Sequence, residues 1–267
     1  MSAEELLRAS GLTIPDGYSI VSLAERPDLI DPTDHFNGSV WPAYMLGTPI
    51  ANGLFGRCFQ DWPQVNFVLV DADGALAATN NAMPLVWDGT DAGLPSGWED
   101  QVIRSVADTD SGRRPNTLGA MQIVVRPELQ GAGLSGTMLG AMRAAAMATG
   151  YRAVIACVRP TLKATYPLTP IERYATWTRA EGLPFDPWIR LHVRLGGRIV
   201  HASPESMTLR GSVADWETWT GLSFPESGRY IVPFATQPIE IDREGDRGTY
   251  HDQNVWVVHD LANAASE

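Results

Sequence analysis

The sequence holds only two cysteines, Cys58 and Cys157. That is too few for the disulfide framework of a small secreted domain. Cys157 sits in an apolar run and reads as core, and a reduced, cytoplasmic compartment is the simplest fit. No apolar stretch approaches the ~20 residues that a membrane-spanning helix needs. The acidic, helical segment Met1 to Ser10 is unlike a signal peptide. Positive charge is also scarce: 20 basic residues face 31 acidic ones, for a net charge of −11. Binding to nucleic acid or to an anionic membrane surface rests on a surplus of cations, so both are disfavoured as partners. A cationic acceptor such as an amine is compatible with the balance. The five histidines show no H-x-x-x-H spacing and the cysteines no C-x-x-C, so no metal site is expected. A G-K-[ST] phosphate loop, a G-x-S-x-G elbow and internal repeats are missing too.

What is present is enough apolar residue, 44%, for a sizeable core. The length of 267 residues suits one large domain or two small ones, and the lack of repeats argues against a tandem duplication. The chain is organised around Leu118 to Thr149. Leu118 to Val125 is almost wholly apolar and reads as a buried strand. Leu134 to Thr149 carries apolar residues at Leu134, Met138, Met142 and Ala145, a helical stripe. Between them lies Arg126-Pro127-Glu128-Leu129-Gln130-Gly131-Ala132-Gly133. A glycine turn that opens a helix leaves several backbone N–H groups unpaired. With the positive end of the helix dipole they form a site for an anion such as a pyrophosphate.

Two sharper readings of that bend compete. Gly131, Gly133 and Gly136 match the G-x-G-x-x-G spacing of dinucleotide sites, with Arg159 as a reader of a 2′-phosphate, which would make the chain an NADP-linked oxidoreductase. But that fingerprint follows its strand directly. Here Arg126 to Gln130 intervene, Pro127 interrupts the strand, and no acidic residue ends the next strand, Arg152 to Val158. The other reading fits better. Gln130-Gly131-Ala132-Gly133-Leu134-Ser135 resembles the Q/R-x-x-G-x-G/A signature of the GNAT superfamily of acyl-CoA N-acyltransferases. Ile123-Val124-Val125-Arg126-Pro127-Glu128 resembles that family's lead-in. Ser135 departs from the usual Gly or Ala, but serine is small.

The order of elements agrees with this resemblance. Tyr18 to Leu23 is a first strand. Pro32 to Leu46 holds one or two helices, and Pro49 to Pro63 is irregular. Val65 to Val70 and Ala75 to Ala82 flank a hairpin turn at Asp71-Ala72-Asp73-Gly74. Trp87 to Asn116 is a long insertion, either a substrate lid or a tolerated surface excursion. It contains a short helix opened by a capping box at Ser96-Gly97-Trp98-Glu99. After the central helix and the strand to Val158, Glu172 to Arg179 is helical. A further helix runs from Asp186-Pro187 to Arg194. Arg198 to His201 and Ser206 to Leu209 form a bent strand, then a short helix carries Trp216 and Trp219. Tyr230 to Phe234 and Asn254 to Val258 are the last strands. The resemblance implies a single α/β domain over 1–267, with an N-terminal extension and insertions near 87–116 and 161–187. Its sheet would be mixed and largely antiparallel, flanked by helices, with a splayed central strand pair.

The resemblance also implies a function: transfer of an acyl group, acetyl above all, from acetyl-CoA to a small amine by direct attack in a ternary complex. The amides of Gly131, Ala132, Gly133, Leu134, Ser135 and Gly136 would hold the pyrophosphate, with Gln130 tying the loop and Arg126 reaching the phosphates of the adenosine end. Val124 and Val125 would pair with pantetheine or the thioester oxygen. His192 stands in His192-Val193-Arg194-Leu195-Gly196-Gly197, where the family carries a tyrosine, and is the candidate proton donor to the leaving thiolate. Tyr166 is a second candidate. No acid on the central strand can serve as base; Glu172, Asp186, His35, Glu99 and ordered water are the options. A non-catalytic acyl-CoA sensor on the same fold is the alternative reading. The oligomeric state stays open, a homodimer among the options.

Overall fold

The computed structural model describes residues 2–261. Its strands are β1 (Tyr18–Ser22), β2 (Phe67–Asp71), β3 (Leu76–Leu85), β4 (Thr117–Val125), β5 (Ala153–Val158), β6 (Arg198–Gly211), β7 (Gly228–Tyr230), β8 (Ile239–Asp242) and β9 (Arg247–Asp260). They form one sheet in the order β1-β2-β3-β4-β5-β9-β8-β7, with β6 paired to β9. Among the described residues only the β4–β5 step is parallel. The helices are α1 (Ala3–Ala9), α2 (Ile30–Ser39), α3 (Arg57–Asp61), α4 (Trp98–Asp110), α5 (Leu134–Thr149), α6 (Ile171–Tyr174), α7 (Pro187–Arg194) and α8 (Val213–Thr220).

The centre follows its sequence pattern closely. Every residue of β5 is buried, as a strand covered on both faces requires. Leu134, Met138, Met142 and Ala145 of α5 are buried together as the periodic stripe predicts. The β2–β3 turn is closed by the Asp71 carboxylate, which accepts from the amides of Asp73 and Ala75 at 3.1 and 2.9 Å. At the start of α7 the Asp186 carboxylate accepts from the amides of Trp188 and Ile189, and Pro187 fills the first helical position.

The expected splay is present, and its cause is visible. Pairing between β4 and β5 covers Thr117–Ala120 against Ala153–Ala156 and then stops. Both strands run on, to Val125 and Val158. On its other edge β4 pairs Ala120 with Ala82 but Gln122 with Asn81, so Met121 is an extra residue in the ladder. A bulge of this kind bends its strand and sharpens the local twist, and β4 leaves β5 at that point.

Part of the insertion 87–116 is packed into the body of the fold. Its helix α4 buries Trp98, Gln101, Val102, Ser105 and Val106. The Trp98 indole donates to the Met121 carbonyl at 2.9 Å. The Trp98 amide donates to Ser206 Oγ on β6, also at 2.9 Å. The predicted capping box does not form. Gly97 is the N-cap and no side chain caps it. Glu99 instead accepts from the Thr208 amide, and the Ser96 carbonyl accepts from Ser203 Oγ. Local capping gave way to anchoring on β6.

Other elements differ at their edges. The helix expected over Glu172 to Arg179 is shortened to α6, and Thr178 bridges to Pro184 beyond it. Tyr166, Tyr174, Trp177 and Phe185 pack there as one aromatic cluster. The strand expected over Tyr230 to Phe234 is only β7, and Phe234 takes a left-handed φ of 72°. The last strand begins at Arg247 rather than Asn254, after a hairpin from β8. Pro49 to Pro63 holds a single π turn and α3.

Candidate active site

The bend before α5 has the backbone its glycines suggest. Gly131 and Gly133 have φ of 86° and 83°, a region other residues enter only at a cost of about 1–2 kcal/mol. A Cβ at either position would meet nothing within 4 Å, so it is the chain direction and not crowding that calls for glycine. The amides of Gly136 and Thr137 turn back to the Gly133 carbonyl, and that of Ala132 to Leu129. The amides of Gly131, Gly133, Leu134 and Ser135 donate to no other described residue. Four free donors at the positive end of a 16-residue helix have the chemistry to hold an anion.

A cavity of about 1000 Å³ starts at this bend and runs through the β4–β5 opening. Gln130, Gly131, Leu134 and Ser135 form its mouth together with Trp188 and Leu191 of α7. Gln122, Ile123 and Val125 of β4 face Ala156, Cys157 and Val158 of β5 across it. The far wall is made by Asp34 and Asn37 of α2, then Trp41, Arg159 and Phe234. This wall is polar but ordered. Thr79 donates to Asn37, Asn37 and Gln122 both donate to Asn81, and the Trp41 indole donates to Gln122.

Two charged groups lie deep in the cavity wall and are paired. Arg159 Nε donates to both oxygens of Asp252, at 2.9 and 3.1 Å, and Nη2 donates to the Phe234 carbonyl. The Asp252 side chain is fully buried and also accepts from Tyr250 and Thr236. Burial opposes the Arg159 charge, but the Asp252 carboxylate outweighs it and raises the pKa. Three of the four hydrogen bonds to its carboxylate fall on Oδ1 and one on Oδ2. Lys163, the only lysine in the chain, is buried behind this cluster on the carbonyls of Tyr166 and Thr236, and burial lowers its pKa to about 8. The Cys157 thiol is pushed up to about 12 by burial and lies 3.2 Å from Ser206 Oγ. Asp34 is exposed, and no ion pair reaches it among the described residues.

The residues singled out in the sequence fall into two groups. Gln130, Gly131, Leu134, Ser135, Val125 and His192 all line the cavity; Ala132, Gly133 and Gly136 complete the bend. Val124 is buried outside the lining and pairs with Thr79. Arg126 donates to Asp71 Oδ2 at 2.8 Å, tied to the β2–β3 hairpin away from the cavity. Tyr166 belongs to the aromatic cluster behind α6. Among the proposed bases none lines the cavity: Asp186 caps α7, Glu99 holds β6, and Glu172 and His35 lie elsewhere. His192 is 2% exposed, with Nδ1 2.9 Å from His259 Nε2. Burial, and then the neighbouring His259, lower its pKa to about 3, so it is neutral at ordinary pH. The Arg159–Asp252 pair was not singled out as one; no local pattern joins residues 93 apart.

A mixed sheet whose parallel centre pair splays beside a glycine bend and a helix N-terminus defines a class. The chain has the fold of GNAT-like proteins. It is 29% identical to the arginine N-acetyltransferase avaD of Aspergillus versicolor, over 96% of this chain and 98% of that one. Two solved structures share the fold. One is the loading GNATL domain of CurA from Lyngbya majuscula, with a TM-score of 0.58 and 15% identity over 92% of this chain and 98% of that one. The other is the GphF GNAT-like decarboxylase in complex with isobutyryl-CoA, with a TM-score of 0.57 and 18% identity over 91% and 99%. No protein-family model matches the chain.

Proposed function

We propose that this enzyme moves an acetyl group from acetyl-CoA to the amine of a small molecule by direct attack. The observation that carries the reading is the cavity itself, which joins the free amides at Gly131–Ser135 to a separate polar wall through the β4–β5 opening. The pyrophosphate lies on those amides and the pantetheine arm follows the unpaired edge of β4 past Val125. The thioester then meets the acceptor near Gln122 and Cys157. The amine forms the new C–N bond, the C–S bond breaks, the ammonium proton leaves through water, and the thiolate takes up a proton. His192 serves the departing sulfur as a neutral N–H donor, its Nδ1 being engaged by His259. Cys157 supports direct transfer over an acyl-cysteine route, because a thiol held near 12 offers little thiolate to attack with. The name of the Aspergillus relative makes arginine the first acceptor to test.

Acetyl-CoA at a hundredfold excess over its Kd stabilises the folded chain by about 2.7 kcal/mol. Thermal melting should show a rise of several degrees with acetyl-CoA and none with NADPH. Release of free thiol with arginine completes the test. A shift with NADPH alone sinks the reading. Binding of acetyl-CoA without turnover on a broad amine panel leaves a CoA sensor instead.

A further inference from the structure

We infer that Arg159 docks a carboxylate on the acceptor, so that the substrate is an α-amino acid whose own α-amine is acetylated. The inference rests on the acyltransferase reading and adds the substrate class. Arg159 is the first residue after β5, at the open end of the splay, and the three residues before it line the same cavity. It is the only lysine or arginine among the described residues that form this cavity.

Its guanidinium is held in one orientation. Nε is spent on Asp252, Nη2 on the Phe234 carbonyl, and the group lies 5.8 Å from the Trp41 ring centre and 5.0 Å from that of Phe234. The Arg159 side chain, 15% exposed and beside Tyr250 as well as Asp252, lines the cavity, and a planar cation held there matches a carboxylate. Phe234 supports the arrangement from the other side. Its left-handed backbone, at φ 72°, is a strained conformation for such a residue, and the bond from Arg159 to its carbonyl is one of the contacts that hold it.

The chemistry follows from the covalent geometry of an amino acid. Its α-amine is one carbon from the carboxylate. A carboxylate seated on Arg159 therefore presents the amine at the end of β5, beside Val158 and Cys157 and across from β4, where the thioester carbonyl is exposed. The side chain is left to extend along Trp41 and α2 toward Asn37 and Asp34, which accounts for a wall far larger than an amine alone would need. Because Asp252 already balances the Arg159 charge, the gain from the acceptor carboxylate is that of a charge-assisted hydrogen bond, about tenfold or more in affinity, and not that of an unscreened ion pair.

Matched acceptors test this on the unaltered enzyme: arginine, its methyl ester, and agmatine, which lacks the carboxylate. With acetyl-CoA saturating, kcat/KM for arginine should exceed that for each partner by about tenfold or more. In Arg159→Gln combined with Asp252→Asn, which removes both charges together, the ratio should fall toward one, with circular dichroism confirming the fold. Equal kcat/KM for arginine and its ester in the unaltered enzyme overturns the inference, whatever the variant does. So does a variant whose KM rises for acetyl-CoA and not for arginine, which would put Arg159 on the cofactor. Failure of all three amines, and of a wider panel, strikes the acyltransferase reading itself.

Discussion

His192 and His259 are two buried imidazoles in contact, and their cost is a function of pH. Burial lowers His192 to about 3 and His259 to about 4, with His259 and Arg143 adding to the respective shifts. In the unfolded chain both titrate near 6.5. Between the folded and unfolded values the unfolded chain binds protons that the folded one refuses, so stability rises with pH there. It is fully present above about 6.5 and declines as pH falls below it. The melting temperature should therefore drop between pH 7 and pH 5. In His192→Asn with His259→Asn the slope should flatten, whatever the double change does to the absolute value. An unchanged slope would mean that the pair does not account for it. The same neutrality shapes the chemistry: a rate profile with a limb near 6.5 would have to come from another group than His192.

At the scale of elements, α4 is the piece on which the opening depends. It joins β4, through Trp98 and Met121, to β6, through Ser206 and Thr208, on the far side of the gap. Gly97 allows that approach. A Cβ there would lie 2.4 Å from the Ser206 Cα and 2.6 Å from its carbonyl oxygen, and neither is a flexible tip that can swing away. Gly97→Ala should cost about 1–3 kcal/mol, in the range of overpacked sites, seen as a melting temperature several degrees lower. A variant as stable as the parent would show that α4 is not seated firmly on β6. Because Trp98 also lines the cavity, the loss should be accompanied by weaker acetyl-CoA binding.

Over the whole molecule, the sheet is divided where β4 and β5 part, and a ligand in the cavity would span the two sides. The four paired positions, Thr117–Ala120 with Ala153–Ala156, hold the halves together at one end only. Amides at 121–125 have no β5 partner. Saturating acetyl-CoA should slow hydrogen exchange at 121–125 and at 131–135, with little change in the fully laddered β2. Protection confined to some other surface would move the cofactor elsewhere. The open end is also where exchange should be fastest in the free protein, since unpaired strand edges open at low free energy.

The sequence alone determined the glycine bend, the strand before it and the helix after it, because these are set within a turn or two by φ and by hydrophobic period. The apolar β5 and the Asp186-Pro187 cap of α7 belong to the same kind. It did not reveal α4 as a wall, because the anchors of Trp98 lie on β4 and on β6, more than a hundred residues on in the latter case. Nor did it reveal Arg159 with Asp252 or His192 with His259, pairs 93 and 67 residues apart. Those depend on where β9 is placed, and Arg247–Gln253 carries polar residues that conceal a strand buried almost throughout from Asp252 to His259. Burial of Asp252 is tolerable only once Arg159, Tyr250 and Thr236 surround it. Only the assembled sheet decides that, and with it the chemistry of the cavity wall.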